Sequence, residues 1–150
     1  MIRRGDATDV AFLRDMLRHA YYARWGDDED LPLSRYVEGW GRPGDSALIL
    51  IDDFHPVAAA WYRLFTAAEP GYGFVDEATP ELTIAVVPSR RGRGLGDELL
   101  TGLFAQARED GFTTVSLSVE PDNPALALYE RHGFDKVGER GGALVMRAGV

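Results

Sequence analysis

Eight residues late in the chain, Arg90-Arg91-Gly92-Arg93-Gly94-Leu95-Gly96-Asp97, constrain its folding more than any other stretch. Before them, Leu82 to Val87 is a short, β-prone apolar segment closed by Pro88. After them, Leu95, Leu99, Leu103 and Ala107 recur at helical spacing until Gly111. The backbone must therefore turn sharply from a strand into a helix. Glycine reaches conformations closed to other residues and lets another molecule approach the main chain, while the first amides of a helix have no partner inside it. Such a bend aims N–H donors at an anion, and Arg90, Arg91 and Arg93 form the densest basic cluster in the chain. A phosphate fits there. The bend is not the nucleotide-hydrolase loop, because no Gly-Lys pair exists and Lys136 is the one lysine. Nor is it the dinucleotide fingerprint, since Asp97 stands where the third glycine belongs and no further β-α repeats follow.

Around this bend, Val10, Leu13, Met16, Leu17, Ala20 and Tyr21 predict a first helix capped by Thr8 or Asp9, and Leu33 to Trp40 a second, short one. Ala47 to Ile51 and Val57 to Phe65 read as strands joined by a hairpin turn through Asp52, Asp53, His55 and Pro56. Thr113 to Val119 is a strand, Ala125 to Arg131 a helix, and Phe134 to Val137 with Leu144 to Arg147 are closing strands about Gly141-Gly142. The order is strand, two helices, three strands, helix, strand, helix, two strands. That predicts one α/β domain over residues 1–150, with a mixed, mostly antiparallel central sheet flanked by helices.

Composition narrows the function. With 150 residues, 45% hydrophobic and 27% charged, the chain suits a single buried core. No cysteine is present, which excludes disulfides, thiolate metal sites and a cysteine nucleophile. The net charge of −8 argues against nucleic-acid binding and favours cationic partners. No apolar run has membrane-spanning length and the N-terminal residues are charged, so the expectation is a cytoplasmic protein with no membrane partner. His19, His55 and His132 are too scattered for a metal site, and none is expected.

The bend and a later segment together resemble the GCN5-related N-acetyltransferase (GNAT) family. Arg91, Gly94 and Gly96 match its signature of Arg or Gln, two residues, Gly, one residue, Gly or Ala. Ile84-Ala85-Val86 with Pro88 is similar to the family's central strand, and the run from Asn123 to Phe134 to its later cofactor-contacting motif. Before Glu81 only the element order matches. The resemblance implies acetyl-CoA as co-substrate, its diphosphate on the amides of Gly92, Arg93, Gly94, Leu95, Gly96 and Asp97 beside Arg91, and its pantetheine arm along Ile84, Ala85 and Val86. Asn123 and Tyr129 would face it too. They stand six apart where many members have seven, and one helical residue is about 100° of rotation.

The implied reaction is direct acetyl transfer to a primary amine in a ternary complex. A lysine-like amine at pH 7 is short of its neutral form by roughly 4–5 kcal/mol, which a base or desolvation must offset. Glu81, entering the central strand, is the candidate base, acting through one water, with Asp76 and Glu77 as competitors. A strand amide near Val86 would hold the oxyanion if neighbouring strands splay. Tyr129 would donate to the departing sulfur, by hydrogen bond or by protonation. Asp27, Asp28, Glu29 and Asp30 either attract a cationic acceptor or form a solvated loop. Tyr21, Tyr22, Trp25, Trp40, Trp61 and Tyr62 either wall an acceptor pocket or, for most, fill core. Pairing of two copies through the C-terminal strands is a further expectation. The alternative function is an acyl-CoA-binding regulatory module that transfers nothing.

Overall fold

A computed structural model describes residues 1–21 and 33–150. The acidic run Asp27 to Asp30, Tyr22 and Trp25 lie outside the described residues. The strands are β1 (Ile2–Arg4), β2 (Ser46–Asp52), β3 (His55–Arg63), β4 (Glu81–Val86), β5 (Thr114–Val119), β6 (Asp135–Arg140) and β7 (Ala143–Gly149). The helices are α1 (Val10–Ala20), α2 (Leu95–Glu109) and α3 (Leu126–Arg131). One seven-stranded sheet runs in the order β1-β2-β3-β4-β5-β7-β6. Every neighbouring pair is antiparallel except β4 with β5.

Both faces of the sheet are covered, and the period-two alternation of each strand sorts its residues between two cores. Leu48, Ala60, Tyr62, Leu82 and Ile84 pack with Leu99, Leu100 and Leu103 of α2. Ala47, Ile49, Trp61 and Ala85 pack with Leu13, Met16 and Leu17 of α1. The predicted fold class is the one observed. Among the described residues no helix is long and apolar enough to cross a membrane.

The expected second helix is instead a single 3-10 turn, Leu33–Tyr36. Ser34 O still accepts from Val37 N and Glu38 N, but the next carbonyls go to side chains: Trp61 Nε1 donates to Tyr36 O at 3.1 Å, and Arg63 Nη1 to Arg35 O at 3.0 Å and, just past the turn, to Glu38 O at 2.6 Å. Gly39 (φ +63°) then reverses the chain. The hairpin is tighter than expected, since β3 begins at His55 opposite Asp52 and only Asp53 and Phe54, at φ 52° and 66°, make the turn. The last two strands run longer than predicted. β6 forms one edge of the sheet, with an irregular register between Lys136 and Gly138.

Candidate active site

The parallel pair at the sheet centre is barely a pair. Glu81 and Ser116 are its one register match, supported by Ser116 N donating to Pro80 O at 3.0 Å. Beyond that point β4 and β5 diverge, and a cavity of about 700 Å³ opens between them. Leu82 to Val86 line one wall and Leu117 to Val119 the other. The backbone direction of β4 follows from its other neighbour. Val87 N donates to Val57 O at 2.9 Å, so Val87, Ala85 and Thr83 point their peptide groups at β3. The N–H and C=O groups of Ile84 and Val86 therefore point into the cleft. Arg91 Nε indeed reaches Val86 O at 3.1 Å from that side.

The glycine bend closes one end. Gly92 and Gly94 have φ of +78° and +77°, and a Cβ built on either meets nothing within 4 Å. The backbone is thus open to the cleft at both. Gly94 caps α2, so the amides of Leu95, Gly96 and Asp97 face outward from its first turn. Gly96 is a glycine for another reason: a Cβ there lies 2.8 Å from Leu128 Cδ2, so α2 and α3 meet at this point. Asp97 adds a second tie, since its carboxylate takes His132 Nε2 at 2.8 Å and Arg131 Nη2 at 3.2 Å. The His132 hydrogen bond is the main cause holding the Asp97 carboxyl below its usual range. The three arginines separate. Arg91 lines the cleft, Arg90 also pairs with Asp52 at 2.9 Å, and Arg93 stands exposed outside the cleft lining.

Tyr129 lines the cleft from α3 and packs edge-on against Phe134, ring centres 5.8 Å apart. Burial pushes its phenol far above the ordinary range. It stays protonated at neutral pH, able to donate a hydrogen bond but a poor source of a fully transferred proton. Asn123 lines the cleft too, but its side-chain oxygen accepts from Ala125 N at 2.9 Å and so shapes the entry to α3.

Glu81 lies elsewhere than expected. It is 2% exposed, outside the cleft lining, and accepts a hydrogen bond from the Tyr36 hydroxyl. A Cβ on Gly71 would sit 2.2 Å from its Oε1, so the Gly71 loop lies directly over it. Asp76 and Glu77 are exposed and outside the cleft lining, with Asp76 accepting from Ala78 N and Glu77 from Ala67 N, both at 2.9 Å. Of the aromatic candidates, Tyr21 both fills core and lines the cleft, whereas Trp61 and Tyr62 are core. Trp40 packs under Arg63, whose guanidinium carbon lies 5.4 Å from the ring centre. The sequence reading missed Thr83, Ser118, Glu120 and Asp122, all on the cleft wall. The alternation of β4 and β5 would have placed the first two had the splay been known.

A sheet opened between two parallel strands, with a bare-backbone bend at one end, defines a class of protein that holds an extended, anion-tailed ligand edge-on to a strand. The chain belongs to the acetyltransferase (GNAT) family, whose model matches residues 10–134. It is 43% identical over 63 residues to a [ribosomal protein bS18]-alanine N-acetyltransferase of Haemophilus influenzae, covering 42% of each chain. It is 31% identical over 138 residues to a mycothiol acetyltransferase of Geodermatophilus obscurus, covering 89% of this chain and 43% of that one. The chain thus spans less than half the length of these relatives. Among solved structures, the ribosomal-protein-alanine N-acetyltransferase of Brucella melitensis superposes with TM-score 0.72 at 26% identity, covering 100% and 99% of the two chains. The yncA structure of Salmonella typhimurium, which holds its cofactor acetyl-CoA, gives 0.73 at 26%, covering 99% and 92%.

Proposed function

We propose that the chain is an acetyl-CoA-dependent N-acetyltransferase that moves the acetyl group directly to a primary amine. The observation that carries this reading is that one cleft is lined by the glycine bend, by Val86 with its inward backbone and by Tyr129. The residues fit the co-substrate. The bend offers the diphosphate open backbone and unpaired helix-start amides, and the diverging strands leave β4 edge groups for the pantetheine amides. The Val86 N–H is a preorganised donor for the oxyanion, which costs no reorganisation when charge develops. Tyr129 stabilises the leaving thiolate by hydrogen bonding, in keeping with its raised pKa.

The test is thiol release from acetyl-CoA with a panel of amines: a peptide beginning with alanine, a lysine peptide, spermidine and ethylamine. Tyr129→Phe is expected to lower kcat while leaving coenzyme A affinity within a few-fold. An unchanged kcat would remove Tyr129 from the chemistry. One observation favours the second reading, an acyl-CoA-binding module. The β4 carboxylate expected to act as base lies under the cleft floor in the hands of Tyr36. Tight acetyl-CoA binding without amine-dependent thiol release would establish that reading.

A further inference from the structure

The distance between Glu81 and the cleft is spanned by side chains of one chemical type. Side chains paired across neighbouring strands share a face, so Ser116 stands beside Glu81, and Thr83 follows Glu81 on that same face toward the cleft. Thr83 is 3% exposed and Ser116 0%, yet among the described residues neither Thr83 Oγ1 nor Ser116 Oγ has a hydrogen-bond partner. Two such hydroxyls flanking one carboxylate are unusual, because a buried polar group without a partner costs stability and native structures rarely tolerate it. They sit where the sheet opens, and Thr83 lines the cleft itself. Residues two apart on a strand stand about 6.6 Å apart and paired strands about 4.8 Å, spans that a single water closes.

We propose that Thr83 and Ser116 are positioning residues for a proton path from the acceptor amine to Glu81, an inference that rests on the transferase reading. Their hydroxyls hold water between the cleft floor and the carboxylate. The substrate ammonium loses one N–H proton to that water as the water passes one of its own to the Glu81 carboxylate. One N–H bond breaks, one O–H bond forms on Glu81, and the amine is left neutral with its lone pair free to attack. Each hydroxyl both donates and accepts, as a relay requires. Tyr36, donating to Oε2, fixes the carboxylate at the far end.

The experiment compares Thr83→Val, Thr83→Ser and Ser116→Ala with the unmodified chain. Thiol release from acetyl-CoA is followed with the amine panel, protonated at neutral pH, and with hydroxylamine, a nucleophile already neutral there. Thr83→Val is expected to lower kcat/KM for the panel amines by up to ~100-fold, the lower range of general-base catalysis. It should spare hydroxylamine and leave the melting temperature equal or higher, since valine removes an unpartnered hydroxyl. Thr83→Ser restores turnover, and Ser116→Ala follows Thr83→Val. Equal losses for both nucleophile types, or no loss for either, overturn the relay while the transferase reading stands. Acetyl-CoA binding without thiol release to any nucleophile by the unmodified chain overturns both.

Discussion

Gly94→Ala tests the bend with the least disturbance elsewhere. Its φ of +77° lies in the left-handed region, and the added Cβ meets no protein atom within 4 Å, so the cost to the free protein is backbone strain alone. That strain is about 1–2 kcal/mol for an L-residue. Loss of glycine's freedom in the unfolded chain returns ~0.4–1 kcal/mol, for a net destabilisation of about 1 kcal/mol. For a domain of this size that lowers Tm by only about 2–4 °C. Binding should suffer far more, because a bend that relaxes toward negative φ turns the amides of Leu95 and Gly96 away from the anion. Losing one charge-assisted hydrogen bond, worth ~1.5–3 kcal/mol, weakens coenzyme A roughly ten- to hundredfold. Calorimetric titration with coenzyme A and with pantetheine, which lacks the diphosphate, separates the two ends of the ligand. The variant should lose affinity for coenzyme A alone. Unchanged affinity, or an equal loss for both ligands, refutes the assignment of the bend to the diphosphate.

Gly96→Ala should act differently. Its Cβ forces Leu128 aside, so α3 shifts, and kcat is expected to fall more than coenzyme A affinity; the reverse pattern in steady-state kinetics and titration would contradict this. Asp45→Ala strands Arg63, the two side chains being 2% and 1% exposed in their 2.8 Å ion pair. Breaking such a buried pair costs ~3–5 kcal/mol, a fall in melting temperature on the order of 10 °C by calorimetry. The Asp97 tie between α2 and α3 should depend on acid. Its carboxyl is lowered, first by the His132 hydrogen bond, so its stabilisation is complete above the unfolded carboxylate range and is lost as pH falls through the lowered folded value. The melting-temperature gap between the unmodified chain and Asp97→Asn should therefore be full at neutral pH and close as pH falls through and below the ordinary carboxylate range; a gap that persists in strong acid counts against the tie.

What could be read from the sequence was whatever depends on near neighbours. The bend, α2, β4 and the Asn123 to Phe134 segment are local patterns of glycine, proline and apolar spacing, and they fold as read. Glu81 could not be placed that way. Its burial is set by Tyr36, 45 residues earlier, and by Gly71, whose lack of a side chain leaves room for the carboxylate. The short Leu33–Tyr36 turn has the same origin, since Arg63 and Trp61 take carbonyls that local propensity would assign to a longer helix. His132, which no local pattern supplies with a partner, is held by Asp97, 35 residues away.

The opening between β4 and β5 is the largest of these non-local effects, and it costs stability at the centre of the sheet. Past Glu81 and Ser116 the two strands make no further register pairs, so the inward N–H groups of Ile84 and Val86 lose ladder partners that a continuous sheet would supply. Two hydroxyls on the same strands go without partners among the described residues as well. Beyond the one match to β5, cores packed on both faces, with α1 on one side and α2 on the other, hold β4 in place together with its pairing to β3. Polar groups left without partners together at one point mark where a ligand's own groups complete the structure. Closing the gap with more strand pairing would therefore make the sheet more stable and remove the site.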